Sequence, residues 1–180
     1  MTTAPLDATL ADPAPAMPSL AAALAANPTA ALEDIARAAG TTPLDVLRAL
    51  PHGEATILPG RHMVAALDDI AGWGEITFIV NTGPVILEAK APLGGGTVAS
   101  GMYNLKGKPI GGHLNIAACD AVAFVRRKLF SMETRSVQFY AADGACLFKV
   151  YLGRDAERRL IPDQIAAFDR LEARLMDDPL

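Results

Sequence analysis

The stretch "SVQFYAADGACLFKVYL", residues 136–152, predicts the β-hairpin around which the rest of the chain can be arranged. Apolar residues alternate with other residues through 137–141 and again through 147–152, on either side of Asp143-Gly144. A period of two is typical of a strand with one face on a core, and Asp-Gly is a preferred hairpin turn. The pattern therefore indicates two antiparallel strands joined by a tight turn.

Three further segments extend this pattern on both sides. "EITFIVNTGPVILEAK", residues 75–90, has two strand-like runs around Asn81–Pro84 and predicts a second hairpin. "AACDAVAFVRRKLF", residues 117–130, fits a buried strand or a helix equally well by periodicity. "PDQIAAFDRLEARL", residues 162–175, has one apolar face at helical spacing and predicts a closing helix.

The N-terminal part of the chain has helical patterns in place of strand patterns. Residues 1–18 are rich in proline and alanine and are expected to form a flexible arm. Residues 19–51 carry three short helical patterns with caps and breakers between them, namely Ser19, Asn27-Pro28, Gly40 and Thr42-Pro43. We therefore expect a helical head over 19–51 and a sheet domain with a C-terminal helix over 52–180. The fold class is α+β, an antiparallel β-sheet with flanking helices.

Composition excludes several classes of protein. Of the 180 residues, 51% are hydrophobic and 20% are charged, which is enough for a core without disulfides or a structural metal. The net charge of −4 gives no general attraction to nucleic acid or anionic membranes. The chain has no basic secretory leader and no apolar run near the ~20 residues of a membrane span, so we expect a cytoplasmic protein. Cys119 and Cys146 lack metal or redox spacing and are expected to be buried, reduced thiols.

The helical head has the spacing of a helix-turn-helix in "LEDIARAAGTTPLDVLRAL", residues 32–50. A helix that reads DNA needs several donors for bases and phosphates. The second helix here, from Pro43 to Leu50, offers only Asp45 and Arg48 among apolar residues. We therefore expect the head to pack on the sheet or on a partner, and a DNA-binding regulator is the least favoured function.

One histidine stands in an unusual setting, the glycine-rich stretch "GKPIGGHLN" of residues 107–115. His113 follows two glycines that leave its imidazole sterically open, although a lone histidine in a turn is often only a solvated or hydrogen-bonded residue. His52 and His62 lie in a Pro/Gly-rich connector and are expected to be exposed. The basic run 126–128 follows an apolar segment and can meet the carboxylates of a flat, amphipathic ligand. No catalytic constellation is apparent, so the residues alone indicate a binding domain for a planar acidic ligand.

Several ordered blocks resemble the cytosolic haem-utilisation carriers of the ChuX/HutX family, over about Leu20 to Leu175. The blocks are "WGEITFIV", "YNLKGKPIGGHLN", "AVAFVRRKLF", "SVQFYAADGACLFKVYLGRD" and "LIPDQIAAF". The resemblance implies an antiparallel sheet domain with flanking helices, and it makes Ala121 to Arg127 a strand. It also implies a homodimer that resembles the two-repeat haem-degrading proteins of the ChuS/HemS type.

The resemblance implies haem as the cargo and a haem-ligating histidine in the "GGHL" segment, which is His113 here. Haem is flat and largely apolar, and its iron accepts a neutral imidazole. Its two propionates would be met by cations, for which the candidates are Arg126, Arg127 and Lys128. No metal other than haem iron is expected.

The family's second histidine falls at Asn81, where this chain departs from the pattern. Asparagine is a poor iron ligand, so the departure argues against ligation by two histidines. It suggests a five-coordinate or weakly ligated haem, or a substitute ligand such as Tyr103 or Met102.

These inferences predict a non-enzymatic haem carrier with no catalytic residues, which hands haem to a degrading or storing partner. The alternative is a haem-degrading enzyme like the two-repeat relatives, but the sequence offers no residues for the electron supply that degradation requires. We also expect a homodimer on physical grounds. The strands "FIV", "VIL" and "FKVYL" are apolar on both faces, and one closing helix covers only part of one face, so a second protomer or the helical head is needed to cover the rest.

Overall fold

The computed structural model describes residues 17–178, so all but the last two residues of the predicted N-terminal arm lie outside it. The α-helices are α1 Leu20–Ala26, α2 Leu32–Ala39, α3 Pro43–Arg48, α4 Met63–Ile70 and α5 Pro162–Met176. The strands are β1 Ala55–Pro59, β2 Glu75–Asn81, β3 Ile86–Pro92, β4 Gly96–Ala99, β5 Met102–Leu105, β6 Gly112–Asn115, β7 Ala121–Leu129, β8 Met132–Tyr140 and β9 Cys146–Tyr151. Short 3-10 turns span Gly60–His62 and Ile116–Ala118. None of the helices over 17–178 has the length and apolarity needed to cross a membrane.

The strands form two antiparallel sheets. The large sheet has six strands in the order β1-β7-β8-β9-β2-β3, and the small sheet has three in the order β4-β5-β6. Every paired strand runs antiparallel to its neighbour. The α+β prediction is therefore confirmed, as are the closing helix and both hairpins.

The hairpin over 136–152 forms as its alternation predicts. Gly144 has φ 82°, and its N–H donates to the carbonyl of Ala141 at 2.9 Å. The Asp143 carboxylate accepts from the N–H of Ala145 at 2.9 Å. A Cβ at Gly144 would lie 2.4 Å from the Thr42 hydroxyl, so glycine is required both by the turn and by the helical head packed against it.

The main core lies on one face of the large sheet, between that sheet, the small sheet, α4 and α5. Aromatic rings dominate it. Phe139 and Phe148 stack with ring centroids 4.3 Å apart, and Phe124 meets Phe168 of α5 edge to face at 5.1 Å. Strand β7 contributes to this core from one face and to a second cluster from the other, with Ala121 to Val125 all buried. A strand buried on both faces loses its alternation, which explains why periodicity alone left this segment ambiguous.

The helical head packs on the opposite face of the large sheet, one of the two arrangements expected from the sequence. Leu44, Val46 and Leu47 of α3 are buried against this face. The Arg127 guanidinium donates to the carbonyls of Ala30 at 2.8 Å and Pro28 at 2.5 Å, in the link between α1 and α2. The apolar side of α3, the second helix of the helix-turn-helix pattern, is therefore buried against the sheet.

Two sequence expectations are wrong. The connector that holds the first two histidines contains β1 and the start of α4, and His62 is buried with only 3% exposure. His52 is exposed, as expected. The "GGHL" segment is the short strand β6 and not a turn, although His113 on it is exposed. Short strands of a small sheet bury few side chains, so they leave little alternation in the sequence.

Cys119 and Cys146 are both free thiols, as predicted, but only Cys119 is fully buried and Cys146 is half-buried. Burial raises the pKa of Cys119 to about 11 and that of Cys146 to about 12. Both therefore remain protonated and unreactive at neutral pH.

Candidate functional site

The open imidazole of His113 is held by its neighbour across the small sheet. Asn104 on β5 is paired directly with His113 on β6, and the Asn104 Oδ1 lies 2.6 Å from the His113 Nδ1. The ring is exposed to solvent. Because Nδ1 is engaged by the amide, Nε2 is the ring nitrogen left to meet a ligand.

His113 belongs to the outer face of the small sheet, away from the core. Residues paired across antiparallel strands share a face, so the register defines two rows on this side. The rows are Thr97–Asn104–His113 and Ala99–Met102–Asn115. None of these side chains except His113 is aromatic, so a flat molecule meets little bulk beside the imidazole. Met102, one of the two predicted substitute ligands, lies on this same face as a diagonal neighbour of His113.

Tyr103, the other substitute, points to the inner face and anchors the small sheet on α4. Its hydroxyl donates to the Asp68 carboxylate at 2.6 Å, and only 1% of the residue is exposed. Burial and the neighbouring Asp68 raise the pKa of Tyr103 to about 12. Gly96 on β4 permits this packing, because a Cβ there would lie 2.3 Å from the tyrosine ring. The phenol is thus a structural anchor on the side of the sheet opposite His113.

The glycines before His113 differ in the space they leave. Apart from the residues on either side of it in the chain, no described residue has an atom within 4 Å of the position that a Cβ of Gly112 would occupy, and Gly112 has φ 154°. A Cβ at Gly111 would lie 3.2 Å from the Gly107 carbonyl oxygen. The position of a side chain at Gly112 is therefore open, whereas Gly111 permits the close packing of its own loop.

The three cations predicted to meet propionates lie on β7 of the large sheet and already have partners. Arg126 forms a two-pronged ion pair with Glu172 of α5 and stacks over Phe168 at 5.0 Å. Arg127 is buried and bound to the carbonyls of the helical head. Lys128 is exposed and 3.7 Å from Glu133. Their role in binding a ligand stays a prediction. In the structure, Arg126 and Arg127 hold helices to the large sheet through their contacts with α5 and with the helical head.

Two lysines that the sequence analysis passed over lie much nearer His113 along the chain. Lys106 and Lys108 are exposed in the loop that joins β5 to β6. None of the ion pairs within residues 17–178 includes either of them. Their signal was present in the sequence, since both stand within seven residues of His113 in "LKGKPIGGH".

Asn81, which the resemblance predicts to replace the family's second histidine, lies at the end of β2 in the large sheet. Its Oδ1 accepts from the N–H of Gly83 at 2.9 Å in the turn of the hairpin. Alternation places it on the face of Ile79, which pairs with Lys149 on the side of the helical head. The small sheet packs on the other face, so within one protomer Asn81 and His113 point away from each other.

His52 and His62 do not lie on the outer face of the small sheet that carries His113. His62 is buried, with its Nδ1 3.6 Å from the Asp178 carboxylate. Burial, together with the charge of Arg61, lowers the pKa of His62, and Asp178 opposes the shift. Within residues 17–178 no cluster of three or more His, Cys, Asp or Glu side chains is arranged to hold a metal ion.

A concave region lies on the large sheet, beside the turn between β7 and β8. This cleft has a volume of about 460 Å³. Its charged lining is of both signs, with Lys90, Arg135, Arg154 and Arg158 among Glu75, Glu88 and Asp155. Its described lining includes no histidine, so it offers haem iron no imidazole.

Comparison with known proteins identifies relatives over most of the chain. The family model for haem utilisation ChuX/HutX matches residues 56–171. The intracellular heme transport protein HutX of Vibrio cholerae is 35% identical over 148 residues, which cover 81% of this chain and 77% of that protein. The crystal structure of ChuX superposes with a TM-score of 0.81 at 36% identity and covers 89% of this chain and 99% of that one.

A more distant structure shares the fold alone. ChuS, described as an E. coli heme oxygenase, superposes with a TM-score of 0.65 at 14% identity. The superposition covers 79% of this chain and 43% of that chain, so this protein corresponds to about half of the longer one. The predicted likeness to one half of a ChuS-type protein is confirmed at the level of the fold.

Proposed function

The chain belongs to the ChuX/HutX family of haem-utilisation proteins, and on that premise we propose that it is a haem carrier. It binds haem as cargo in the cytoplasm and passes it to a partner that degrades or stores it. The relative of 35% identity is named an intracellular heme transport protein, which supports transport and an intracellular location.

The observation that carries this proposal is the exposed imidazole of His113 on the open face of the small sheet. Neutral imidazole is a common ligand of haem iron, and the face around it has short side chains. We propose that Nε2 of His113 binds the iron, with Met102 beside it on the same face. The exposure of His113 suits a carrier, because a ligand reached from solvent can be handed on without unfolding the site.

A carrier is favoured over a haem-degrading enzyme by the degree of similarity. The relative named a transport protein is 35% identical, whereas the heme oxygenase ChuS is 14% identical and supports only the fold. Degradation also requires activation of oxygen on the iron and a supply of electrons. The residues in the two rows around His113 include none that could supply electrons.

We propose that Lys106 and Lys108 meet the haem propionates. Both ammonium groups are exposed and lie in the loop that leads directly into β6. Lys128 remains a further candidate because it is exposed, although Glu133 lies beside it. Arg126 and Arg127 are poorer candidates, because a propionate would have to displace Glu172 from the first or backbone carbonyls from the second.

We further propose that the protein is a homodimer. Strand β3 is an edge of the large sheet, and Val85, Ile86 and Leu87 at its start are 58%, 60% and 58% exposed. Consecutive exposed apolar residues on an unpaired strand edge favour association with a second protomer. Sedimentation equilibrium at micromolar concentration should give twice the chain mass of 18.8 kDa. A monomer mass would contradict the dimer without affecting the proposal of haem binding.

Titration with haemin tests the carrier function directly. The purified protein should give a saturable Soret shift near one haem per protomer, and the absence of a shift at micromolar protein would refute the proposal. Incubation of the complex with ascorbate and catalase should leave the haem spectrum intact. Conversion to a bile-pigment spectrum would instead favour the degrading enzyme.

The ligand is tested by His113→Ala. We expect haem affinity to fall by at least about 10- to 100-fold, the range for loss of an outer-shell partner of a metal ligand, because here the ligand itself is removed, and we expect a changed Soret band. The free energy of unfolding should change by less than about 0.5 kcal/mol, because the side chain is exposed. His52→Ala is the matched control of an exposed histidine, and Tyr103→Phe tests the alternative ligand. Neither should alter the Soret band, and an unchanged spectrum in His113→Ala would exclude the imidazole as the ligand.

A further inference from the structure

The amide of Asn104 has its orientation set by two backbone carbonyls. Its Nδ2 donates to the carbonyl of Thr97 at 3.0 Å and to that of Met102 at 3.3 Å. Carbonyl oxygens only accept hydrogen bonds, so the opposite orientation of the amide would set its oxygen against two other oxygens. The NH₂ group therefore faces the backbone of the small sheet, and Oδ1 faces His113.

This orientation determines which nitrogen of His113 carries the hydrogen. The Asn104 Oδ1 can only accept, and it lies 2.6 Å from His113 Nδ1, so Nδ1 must be the donor. A neutral imidazole has one donor nitrogen and one acceptor nitrogen. With hydrogen on Nδ1, the lone pair is on Nε2, and a neutral imidazole nitrogen is the form that binds a metal.

We infer that Asn104 is a positioning residue that holds His113 in the Nδ1–H tautomer and thereby prepares Nε2 to bind haem iron. Hydrogen bonds to the distal nitrogen of a ligating histidine fix its tautomer and ring orientation and raise its basicity. The part of this inference that concerns iron rests on the proposed function, whereas the tautomer is a property of the haem-free protein.

The choice of an amide has a consequence for cargo release. A carboxylate acceptor draws the Nδ1 hydrogen more strongly than a neutral amide does, because hydrogen bonds to charged groups are stronger. An amide therefore fixes the ring while raising the basicity of Nε2 less. We expect a histidine supported in this way to bind iron firmly enough for specificity and loosely enough for transfer.

The tautomer is tested by ¹⁵N NMR of the haem-free protein at alkaline pH, where imidazoles are neutral. The ¹⁵N shifts of His113 should report hydrogen on Nδ1 in the wild type. Asn104→Leu should lose this preference. Asn104→Asp should retain it, because one carboxylate oxygen still accepts from Nδ1–H even though the donor to the carbonyls of Thr97 and Met102 is lost. Thr97→Val is the matched control on the same row, since it keeps the backbone carbonyl that orients Asn104.

The effect on iron is tested by the rate of haem transfer to a scavenger apoprotein in excess. Relative to the wild type, we expect release about tenfold faster from Asn104→Leu, slower release from Asn104→Asp and no change in Thr97→Val. Equal release rates in all four proteins would overturn the role toward iron. A wild-type Nδ1–H tautomer together with no saturable Soret shift would support the tautomer assignment and refute the proposed function. Hydrogen on Nε2 in the wild type, or the same tautomer in the wild type and Asn104→Leu, would overturn the inference.

Discussion

The outer face of the small sheet and the head-facing side of the large sheet use similar residues in opposite ways. On the large sheet, the Lys149 ammonium is 2.6 Å from the Glu33 carboxylate, with only 8% and 13% of the two side chains exposed. Arg127 is likewise buried and donates to backbone carbonyls of the head. On the small sheet and its β5–β6 loop, His113, Lys106 and Lys108 are exposed, and among residues 17–178 only His113 of these three has a side-chain partner.

The difference separates cations that hold the fold from groups that remain available to a ligand. A buried charge is costly unless it is paired, so the cations of the large sheet are committed to internal partners. An exposed histidine with one nitrogen held and the other open has no such commitment. Substitutions on the two surfaces should therefore affect different properties, stability for the first and haem binding for the second.

The largest effect is expected from Lys149→Met, which leaves Glu33 buried without its partner. Breaking a buried pair from one side costs about 3–5 kcal/mol, so we expect a loss of free energy of unfolding of this size in urea titrations. The double variant Glu33→Leu/Lys149→Met should recover most of that loss, because no uncompensated charge remains. Haem affinity of the folded protein should be unchanged in both. A Lys149→Met protein of wild-type stability would show that the head is not held by this pair.

A smaller effect, on binding alone, is expected from Lys106→Gln/Lys108→Gln. Exposed charge pairs contribute about 0–1 kcal/mol each, so the double change should weaken haem affinity by several fold and reduce its dependence on salt. Lys128→Gln is the matched exposed control on the large sheet and should bind as the wild type does. A loss of haem affinity in Lys128→Gln but not in the double variant would instead indicate that the propionates bind at β7.

The pH dependence of stability should reveal buried His62. Burial lowers the pKa of this residue in the folded protein below its ordinary value of 6.5, so the unfolded chain binds more protons. Its contribution to stability is therefore present above pH 6.5 and is lost as pH falls from there toward the folded pKa. His62→Gln should lose less stability than the wild type between pH 7 and pH 5, as measured by urea unfolding. Equal losses in the two proteins would contradict the burial of this imidazole.

The smallest effect is expected from Asn81→His, which introduces the second histidine that the resemblance predicts for this position. Asn81 lies on the side of the large sheet opposite the small sheet, so a histidine there points away from His113 of the same protomer. We expect the ferric haem spectrum to keep its wild-type spin state. Conversion to a low-spin, six-coordinate spectrum would contradict this placement and indicate that haem lies between two protomers.

Much of the fold was predictable from local patterns. Alternation and the Asp-Gly turn predicted the hairpin over 136–152, and the apolar face of 162–175 predicted α5. Caps and breakers predicted the helical head, as Ser19 and the left-handed Gly40 confirm. The strand β7 is the exception, because burial on both faces removes the alternation that marks a strand. There the family resemblance supplied what periodicity could not.

The candidate site was predictable only in part. His113 was identified from the glycines beside it, and its exposure is as expected. The sequence did not indicate Asn104, because its relation to His113 exists only through the pairing of β5 with β6. Nor did the sequence show which of the two substitute ligands, Met102 or Tyr103, lies on the face of His113. The two residues are adjacent on a strand, so their side chains point to opposite faces.

The sequence by itself determined the helical head, the closing helix and the two long hairpins, because those depend on the period and the conformational preferences of neighbouring residues. The tertiary structure alone decided what each polar side chain is used for. It buried His62 and Tyr103, committed Arg126, Arg127 and Lys149 to internal partners, and left His113 open with its Nδ1 held. The reason is that burial and hydrogen bonding are set by residues far away in the chain, such as Glu33 for Lys149 and Glu172 for Arg126, which no local pattern records.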